Sequence, residues 1–308
     1  MAASLPLHPP AGVVAADETP LSRNTVWRRF RRHHIAIAGV VVILVMTLVA
    51  ALANLIAPAD PNFIDNVNWQ GPALAPGIAG HILGTDEVGR DLLSRLIFGA
   101  RISLTVAFFA VLMEISIGTV LGAISGYYGG WVDFVIMRAT DVVLSIPLLP
   151  LLLVITAIVA GTSSKAALNF GVIVLIIGGL SWPAVARLVR ASFLSLRERE
   201  FAEAARALGN NDGRIIFRHL LPNAIAPIIV QATLEVANVI ILESTLSFLG
   251  FGIQPPTASW GNMLANAQSN IIGAPWVAIF PGLCIFVTVL AINYAGDGLR
   301  DALDPNTQ

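Results

Sequence analysis

The chain has 308 residues, of which 56% are apolar and only 12% are charged. Soluble domains carry charge on about a quarter of their residues, so this composition excludes an ordinary soluble protein and predicts a chain that faces lipid. The net charge of −1 provides no overall attraction to nucleic acid. The single cysteine, Cys284, excludes an internal disulfide, and no Cys/His cluster has the spacing of metal ligands.

The N-terminal region combines a tail, a basic cluster and the first apolar run. Residues 1–22 are rich in Ala and Pro, which favours disorder. The basic stretch RRFRR at 28–32 follows, and with the histidines next to it predicts a patch at the cytoplasmic membrane surface. A signal peptide would also have a basic flank, but its apolar region is about 7 to 15 residues long. The apolar run at 35–57 has 23 residues and therefore favours an uncleaved transmembrane helix.

Six apolar stretches reach the roughly 20 residues that a membrane-spanning helix needs. They lie at 35–57, 102–125, 139–160, 168–188, 224–248 and 275–295. Pro147 and Pro150 interrupt the third stretch and Pro183 the fourth, which is tolerated where neighbouring helices satisfy the freed carbonyls. The sequence therefore predicts an all-α integral membrane fold with six transmembrane helices.

The distribution of Arg and Lys predicts the topology, because cytoplasmic loops are enriched in both. If the N-terminus is cytoplasmic, twelve basic residues lie inside: Arg23, Arg28, Arg29, Arg31, Arg32, Arg190, Arg197, Arg199, Arg206, Arg214, Arg218 and Arg300. Three lie outside: Arg90, Arg95 and Lys165. Both termini are therefore expected in the cytoplasm. The segments outside the spans are then a cytoplasmic N-terminus at 1–34, an extracytoplasmic segment at 58–101, a cytoplasmic loop at 189–223 and a cytoplasmic tail at 297–308.

The second predicted span has a series of small residues at intervals of four. Gly118, Gly122 and Gly126 lie on one face of this helix. Such a series leaves a groove that allows another helix backbone to approach closely. We expect this face to be a packing surface.

The cytoplasmic loop contains the most charged stretch of the chain, which reads REFAEAARALGNNDGRIIFRHLLP at 199–222. Phe201, Ala205 and Leu208 recur at the spacing of one helix face. A projecting helix with an apolar stripe needs either its own neighbours or a partner protein to cover that stripe.

A turn and a second helix follow in the same loop. Gly209 suits the end of the first helix, and Asp212 is expected to cap a second helix at 214–221. Pro222 is expected to stop it. The loop therefore predicts a short helical hairpin.

One spacing in this loop resembles a known family. Glu203-Ala204-Ala205, then Gly209, then Leu221-Pro222, resemble the EAA loop of binding-protein-dependent ABC importer permeases, although His219 stands where that family usually has an apolar residue. The resemblance implies a coupling helix that docks into a groove of an ATPase subunit. In that role, Glu203 would bond Arg206 or a partner group, and the two alanines would keep the helix face thin.

Further stretches resemble the dipeptide/oligopeptide/nickel branch of these permeases, and its second permease most of all. They are LGTDEVGRD at 83–91, SR at 94–95, GAR at 99–101, LESTLSFLG at 242–250 and PTASWG at 256–261. The resemblance runs from about residue 25 to about residue 305. It implies a type I ABC importer permease fold with a five-helix core at 102–296, in a bacterial cytoplasmic membrane.

The same resemblance implies the partners. They are a homologous second permease, two ABC ATPases, an extracytoplasmic solute-binding protein and a peptide substrate. ATP and Mg would bind to the ATPases, and this chain would be a non-catalytic subunit without a cofactor or metal. Consistent with this, the phosphate-binding motif G-x-x-x-x-G-K-[ST] does not occur in the sequence.

Four carboxylic residues lie within or at the ends of the predicted spans: Glu114, Asp141, Glu235 and Glu243. Charge near the bilayer centre is costly, so such side chains usually face the interior of the bundle. They are candidates either for a translocation path or for interhelical hydrogen bonding. Glu235 is the strongest path candidate because it lies mid-span in the helix after the coupling loop. Asp141 is expected to pair with Arg138, three residues away.

The extracytoplasmic stretches leave two further questions open. Asp86, Glu87 and Asp91 cluster around Arg90, which suits either a cation site or, as we expect, an internal network that orders the segment. The stretch 250–260, which contains Pro255, Pro256 and the aromatic anchor Trp260, could either touch a binding protein or brace the outer gate.

The leading functional hypothesis is an ABC importer permease that translocates di- or oligopeptides by alternating access. The same machinery could carry nickel or another small solute. An autonomous secondary transporter or channel is disfavoured because the largest cytoplasmic element is typical of a docking site. An intramembrane enzyme is disfavoured because no metal-ligand or nucleophile motif occurs.

Overall fold

The computed structural model describes residues 23–69, 71, 73–162 and 169–303. The expected disorder of 1–22 and the expected outward position of Lys165 therefore lie outside the described residues. Within those ranges the regular elements are helices, and β pairing is limited to two isolated bridges.

The helices follow one another as α1 Arg23–Phe30, α2 His34–Ala51, α3 Ala53–Ile56, α4 Leu92–Tyr128, α5 Gly130–Ser145, α6 Leu148–Thr162, α7 Phe170–Leu196, α8 Glu200–Ala207, α9 Asp212–Arg214, α10 Leu221–Phe248, α11 Trp260–Ala267 and α12 Trp276–Leu303. A π-helical turn, Ile215–Leu220, joins α9 to α10, and a 3₁₀ turn, Gln268–Asn270, follows α11. The central apolar core draws its buried side chains from α4, α6, α7, α10 and α12.

Five of these helices are long and apolar enough to cross a membrane, and a bent pair can supply a sixth span. The third predicted span corresponds to this bent pair, in which α5 and α6 meet at 85°, so the predicted interruption is a break between two helices. The break coincides with Pro147, the residue before α6, as expected from its missing N–H. Pro150 does not add a second break, because it lies in the first turn of α6, where a backbone N–H has no partner to lose.

Helix α4 begins at Leu92, well before the predicted start at 102. The side chain of Asp91 caps it by accepting a 2.8 Å hydrogen bond from the backbone N–H of Ser94. The added turns are buried, and the indole N–H of Trp260 donates to the carbonyl of Leu96 at 3.1 Å. Tertiary packing therefore extends the helix beyond the apolar stretch that a lipid bilayer requires.

The largest helix–helix contact joins α4 to α7. Gly118, Gly122 and Gly126 lie along it, and a Cβ at any of the three would come within 2.6 Å of an atom in α7. The predicted packing groove is therefore confirmed, with α7 as the helix that fills it.

One end of the bundle carries the segment between α7 and α10. The C-terminal end of α4 lies there, because Arg197 donates to the carbonyls of Gly126 and Tyr127 at 3.1 and 3.3 Å. We call this the hairpin end, and it also contains the start of α5. The described residues of 57–91 and the segment 249–275 lie at the other end of α4 and α10.

Candidate functional site

Residues 199–220 form the hairpin that the sequence predicts, with two corrections. Gly209 follows α8 with a φ of 75°, which confirms it as the residue that ends the helix. The cap of the second helix is Asn211 rather than Asp212, because the Asn211 side chain accepts from the backbone N–H of Arg214 at 2.8 Å. Pro222 does not stop this helix, which continues through the π turn into α10.

Each of the two corrections has a physical cause in the structure. The carboxylate of Asp212 accepts a 2.7 Å hydrogen bond from the hydroxyl of Tyr127 in α4, so it ties the hairpin to the bundle instead of capping it. Pro222 stands in the first turn of α10, where its missing N–H costs little. The hairpin and the long helix that follows it are consequently one element.

The inner side of the hairpin packs on the bundle. Ala202 and Ala205 of α8 are buried in one cluster with Phe193, Ile215 and Leu220. Ala205 therefore contacts this chain's own helices, although the predicted stripe grouped it with Phe201 and Leu208.

The outer side of the hairpin is open to solvent. Phe201, Leu208 and Phe217 are 38%, 82% and 69% exposed. Glu203 and Ala204 are exposed beside them. Arg206 does not need Glu203 as a partner, because its guanidinium donates to the carbonyl of Arg197 at 3.0 Å. The tip therefore presents apolar side chains and a carboxylate to whatever binds there.

Of the four carboxylic residues of the spans, two line one cavity of about 460 Å³. These are Glu114 of α4 and Glu235 of α10. The other lining residues come from the α5–α6 break, from α7 around its internal proline and from α10: Val143, Leu144, Ile146, Pro147, Leu148, Leu180, Ser181, Pro183, Ala184, Asn238, Ile241 and Leu242.

The two cavity carboxylates differ in their hydrogen bonding. Glu235 accepts from the side-chain amides of Gln231 at 2.6 Å and Asn238 at 3.2 Å, one turn away on either side. Glu114 is 1% exposed, and neither of its carboxylate oxygens has a hydrogen-bond partner within the described structure. The Oγ of Ser181, also on the cavity wall, is likewise buried and unpartnered there.

Sequence reasoning missed three of these groups. Gln231 and Asn238 flank Glu235 at i−4 and i+3 in an otherwise apolar span, a pattern that the sequence contains and that marks a supported carboxylate. Ser181 carries no such signal, because a lone serine in an apolar helix most often bonds to its own backbone.

Glu243 lies away from the cavity and has a structural environment. It is fully buried and accepts from the hydroxyls of Ser103 at 3.0 Å and Ser247 at 2.7 Å. The Ser103 hydroxyl also accepts from the backbone N–H of Trp260 at 3.3 Å. These bonds join α4, α10 and α11.

Asp141 is also outside the cavity, and the expected pair with Arg138 is wrong. Its carboxylate contacts Arg187 of α7 at 2.6 Å, with both side chains half exposed. Arg138 instead stacks over the ring of Phe134, 5.4 Å from its centroid. The ion pair joins two helices that local sequence spacing could not bring together.

The acidic cluster before α4 forms an internal network. The carboxylate of Asp86 contacts Arg90 at 2.7 Å and the buried Arg95 at 3.3 Å. Asp91, which caps α4, lies 2.8 Å from His81 Nδ1 and accepts a hydrogen bond from it in the tautomer that carries the proton on Nδ1. Burial raises the pKa of Glu87 above its usual value. The expected ordering network is thus present, and no group of metal-ligating side chains occurs in the described ranges.

Trp260 is fully buried and its neighbours form a capping box between Ser259 and Asn262 at the start of α11. The indole therefore braces helices of this chain. It is not available on the surface to touch another protein.

Comparison with known proteins agrees with this architecture. The family model described as "Binding-protein-dependent transport system inner membrane component" matches residues 118–308. A second, "N-terminal TM domain of oligopeptide transport permease C", matches residues 23–76.

Curated relatives match nearly the full length. The "Glutathione transport system permease protein GsiD" of Pectobacterium atrosepticum is 44% identical, over 91% of this chain and 89% of the relative. The "Dipeptide transport system permease protein DppC" of Alkalihalophilus pseudofirmus is 41% identical, over 97% and 96%. The Escherichia coli O6:K15:H31 protein named GsiD is 42% identical, over 95% and 93%.

Among solved structures, a chain of the inward-facing MetNI methionine ABC transporter superposes with a TM-score of 0.54 at 19% identity. The match covers 69% of this chain and 98% of the other, which establishes the type I importer permease fold. With a family model over more than half of its length and relatives above 40% identity, the chain belongs to the binding-protein-dependent transport system inner membrane components, the multi-pass permeases of ABC importers.

Proposed function

We propose that this permease translocates di- or oligopeptides across a bacterial cytoplasmic membrane, paired with a homologous second permease. Two ABC ATPases drive it, and an extracytoplasmic solute-binding protein delivers the peptide. The observation that carries the proposal is the exposed hairpin tip, which is continuous with a helix that forms the wall of the cavity. The names of the relatives, glutathione and dipeptide permeases, support a peptide substrate.

The hairpin is the proposed ATPase-coupling site, formed by Glu203, Ala204, Ala205, Gly209, Leu221 and Pro222. Glu203 and Ala204 present the contact surface, since both are exposed. Ala205 sets the distance between α8 and the bundle from its buried position, and Gly209 makes the turn. Leu221 and Pro222 connect the turn to α10. ATP binds and is hydrolysed on the partner subunits.

In the proposed topology both termini and the hairpin are cytoplasmic. The excess of Arg in the N-terminal cluster and in 189–223 supports this orientation. The segments 57–91 and 249–275 then face the binding protein.

Within this scheme Glu114 and Glu235 belong to the translocation path, because they line the membrane-embedded cavity. Glu243 and Asp141 act in helix packing, through their bonds to Ser103 and Arg187.

Charge reversal at the hairpin tests the coupling proposal. In the complete importer reconstituted in proteoliposomes, we expect Glu203→Arg to abolish ATP-dependent dipeptide uptake, either by loss of the ATPases or by hydrolysis without transport. Glu198→Arg is the matched control, since Glu198 is 76% exposed and lies just before α8. Normal uptake with normal assembly in Glu203→Arg would refute the coupling role. Ni²⁺ uptake without dipeptide uptake by the wild-type importer would refute the peptide assignment.

A further inference from the structure

The cavity shared by Glu114 and Glu235 is lined by hydrogen-bond acceptors, and no cationic side chain is among the described residues of its wall. We propose that it is a subsite for the α-ammonium group of the peptide in transit, with Glu114 as the principal acceptor. This inference rests on the proposed function, because it assigns a chemical specificity to the path of the same importer.

The cavity groups lie at one depth in the bundle. Glu114 precedes the end of α4 by 14 residues, and Glu235 follows the start of α10 by the same number, which places both about 21 Å from the hairpin end. The α5–α6 break at Pro147 and the internal Pro183 of α7 also line this cavity. Five helices, α4, α5, α6, α7 and α10, therefore contribute to the wall of this cavity.

Glu114 is the cavity carboxylate that has no hydrogen-bond partner among the described residues. A buried carboxylate without a hydrogen bond is unfavourable, and an ionised one needs a cation. None of the described residues that line the cavity is Arg, Lys or His. The hydroxyl of Ser181 is a second buried group on this wall without a partner in the described structure.

Glu235 completes the acceptor set. Its two oxygens are oriented by the amides of Gln231 and Asn238, which stabilise the carboxylate as an acceptor without neutralising it. Pro183 lies inside α7 and has no N–H to donate, so the carbonyl one helical turn before it loses its usual backbone donor.

A primary ammonium group matches these acceptors better than a metal ion does. It offers three N–H donors around one positive charge. No group of three metal-ligating side chains occurs in the parts of the chain that the structure describes. The remaining wall is apolar, with Leu148, Leu180 and Ile241, and suits the side chains of varied peptides. The volume of about 460 Å³ is within the range of small-molecule sites.

The test measures discrimination by the permease itself. The permease–ATPase complex is assembled in nanodiscs without binding protein, and its dissociation constants are measured for Ala-Ala and for N-acetyl-Ala-Ala, which lacks the ammonium group. We expect the wild-type complex to bind Ala-Ala at least tenfold more tightly, equivalent to about 1.4 kcal/mol of binding free energy. Glu114→Gln, which keeps the shape of the side chain, should reduce this preference to less than twofold.

Thr288→Val is the matched control. Thr288 is fully buried in α12, its Oγ1 has no partner in the described structure, and it does not line the cavity. It should retain the wild-type preference. If the Glu114→Gln complex does not assemble, the same measurement is made with Ser181→Ala. A reduced preference for Ala-Ala over N-acetyl-Ala-Ala in that variant supports the subsite, and an unchanged preference overturns it.

The outcomes separate the two proposals. The ammonium subsite is overturned if Glu114→Gln keeps the wild-type preference for Ala-Ala, or if it weakens the binding of both peptides equally. The proposed function is unaffected by either result as long as the wild-type importer takes up Ala-Ala normally. Equal weakening would point to a structural role or to a cation supplied by the second permease. Failure of the wild-type importer to take up any peptide refutes the proposed function, and the subsite with it.

Discussion

The close contact between α4 and α7 predicts a measurable difference between two glycines that look alike in the sequence. An alanine at Gly122 would place its Cβ 2.5 Å from the carbonyl oxygen of Ala186 and 2.8 Å from the Cβ of Val189. An alanine at Gly179 of α7 would meet only the end of the Met113 side chain, at 3.6 Å.

The magnitude follows from these distances. Ordinary contact begins at 3.4 Å, so Gly122→Ala forces the helices apart by about 0.9 Å against rigid backbone, and a gap of that size forfeits a quarter to a half of the local dispersion energy. Overpacking against rigid backbone costs the upper part of its usual range, about 2–3 kcal/mol, and the helix propensity of Ala returns about 1 kcal/mol. We expect Gly122→Ala to lower the free energy of unfolding by about 1–2 kcal/mol and Gly179→Ala to leave it unchanged or raise it by up to about 1 kcal/mol.

The assay is unfolding of the purified chain in mixed micelles with increasing SDS, followed by tryptophan fluorescence. Equal stability of Gly122→Ala and wild type would show that α4 and α7 are not in close contact. Equal destabilisation by both variants would show that the loss does not arise from this contact.

Three further predictions concern local features, and each is tested by the same unfolding assay. Asn211→Ala should lower the free energy of unfolding by about 1 kcal/mol, because Asn211 caps α9, and Asp212→Ala should lower it by less. A larger loss in Asp212→Ala than in Asn211→Ala would identify Asp212 as the cap. Arg95→Met should lower the free energy of unfolding by about 3–5 kcal/mol, because the buried carboxylate of Asp86 then loses one of its two cationic partners. Adding Asp86→Asn should recover part of this loss. If the effects of the two substitutions were strictly additive, that would argue against the ion pair. The raised pKa of Glu87 means that its contribution to stability is fullest below its unfolded pKa and is lost as the pH rises through the folded pKa. Glu87→Gln should therefore stabilise the chain at pH 7 and lose that advantage near pH 4, and an advantage independent of pH would contradict the assigned cause.

Most of the fold could be predicted from the sequence because membrane burial imposes simple constraints. A span must be long and apolar, so five of the predicted spans correspond to one long helix each and the third to the bent pair α5–α6. Gly118, Gly122 and Gly126 predict the packing face correctly. The start of α4 could not be predicted in this way. It depends on contacts with Trp260, which lies far along the chain.

The residues of the candidate sites could be predicted from the sequence, but the residues that they contact could not. Asn211 and Asp212 are both good caps, and what separates them is Tyr127, 85 residues away. Of the four membrane carboxylates, the two that share a cavity are distinguished only by tertiary structure. Local spacing also favoured Arg138 over the partner that Asp141 has in α7.

The unbroken helix Asp212–Phe248 has a mechanical consequence. Its 37 residues make a rod about 55 Å long, with Glu235 about 20 Å from the far end. A tilt of about 5° around Phe248 would move the hairpin by about 5 Å and Glu235 by about 2 Å. If the ATPases dock on the hairpin as proposed, this helix would convert a large movement at the ATPase into a smaller displacement of the cavity wall. Because such coupling is reciprocal in free energy, a peptide held at the wall would bias the position of the ATPases in turn.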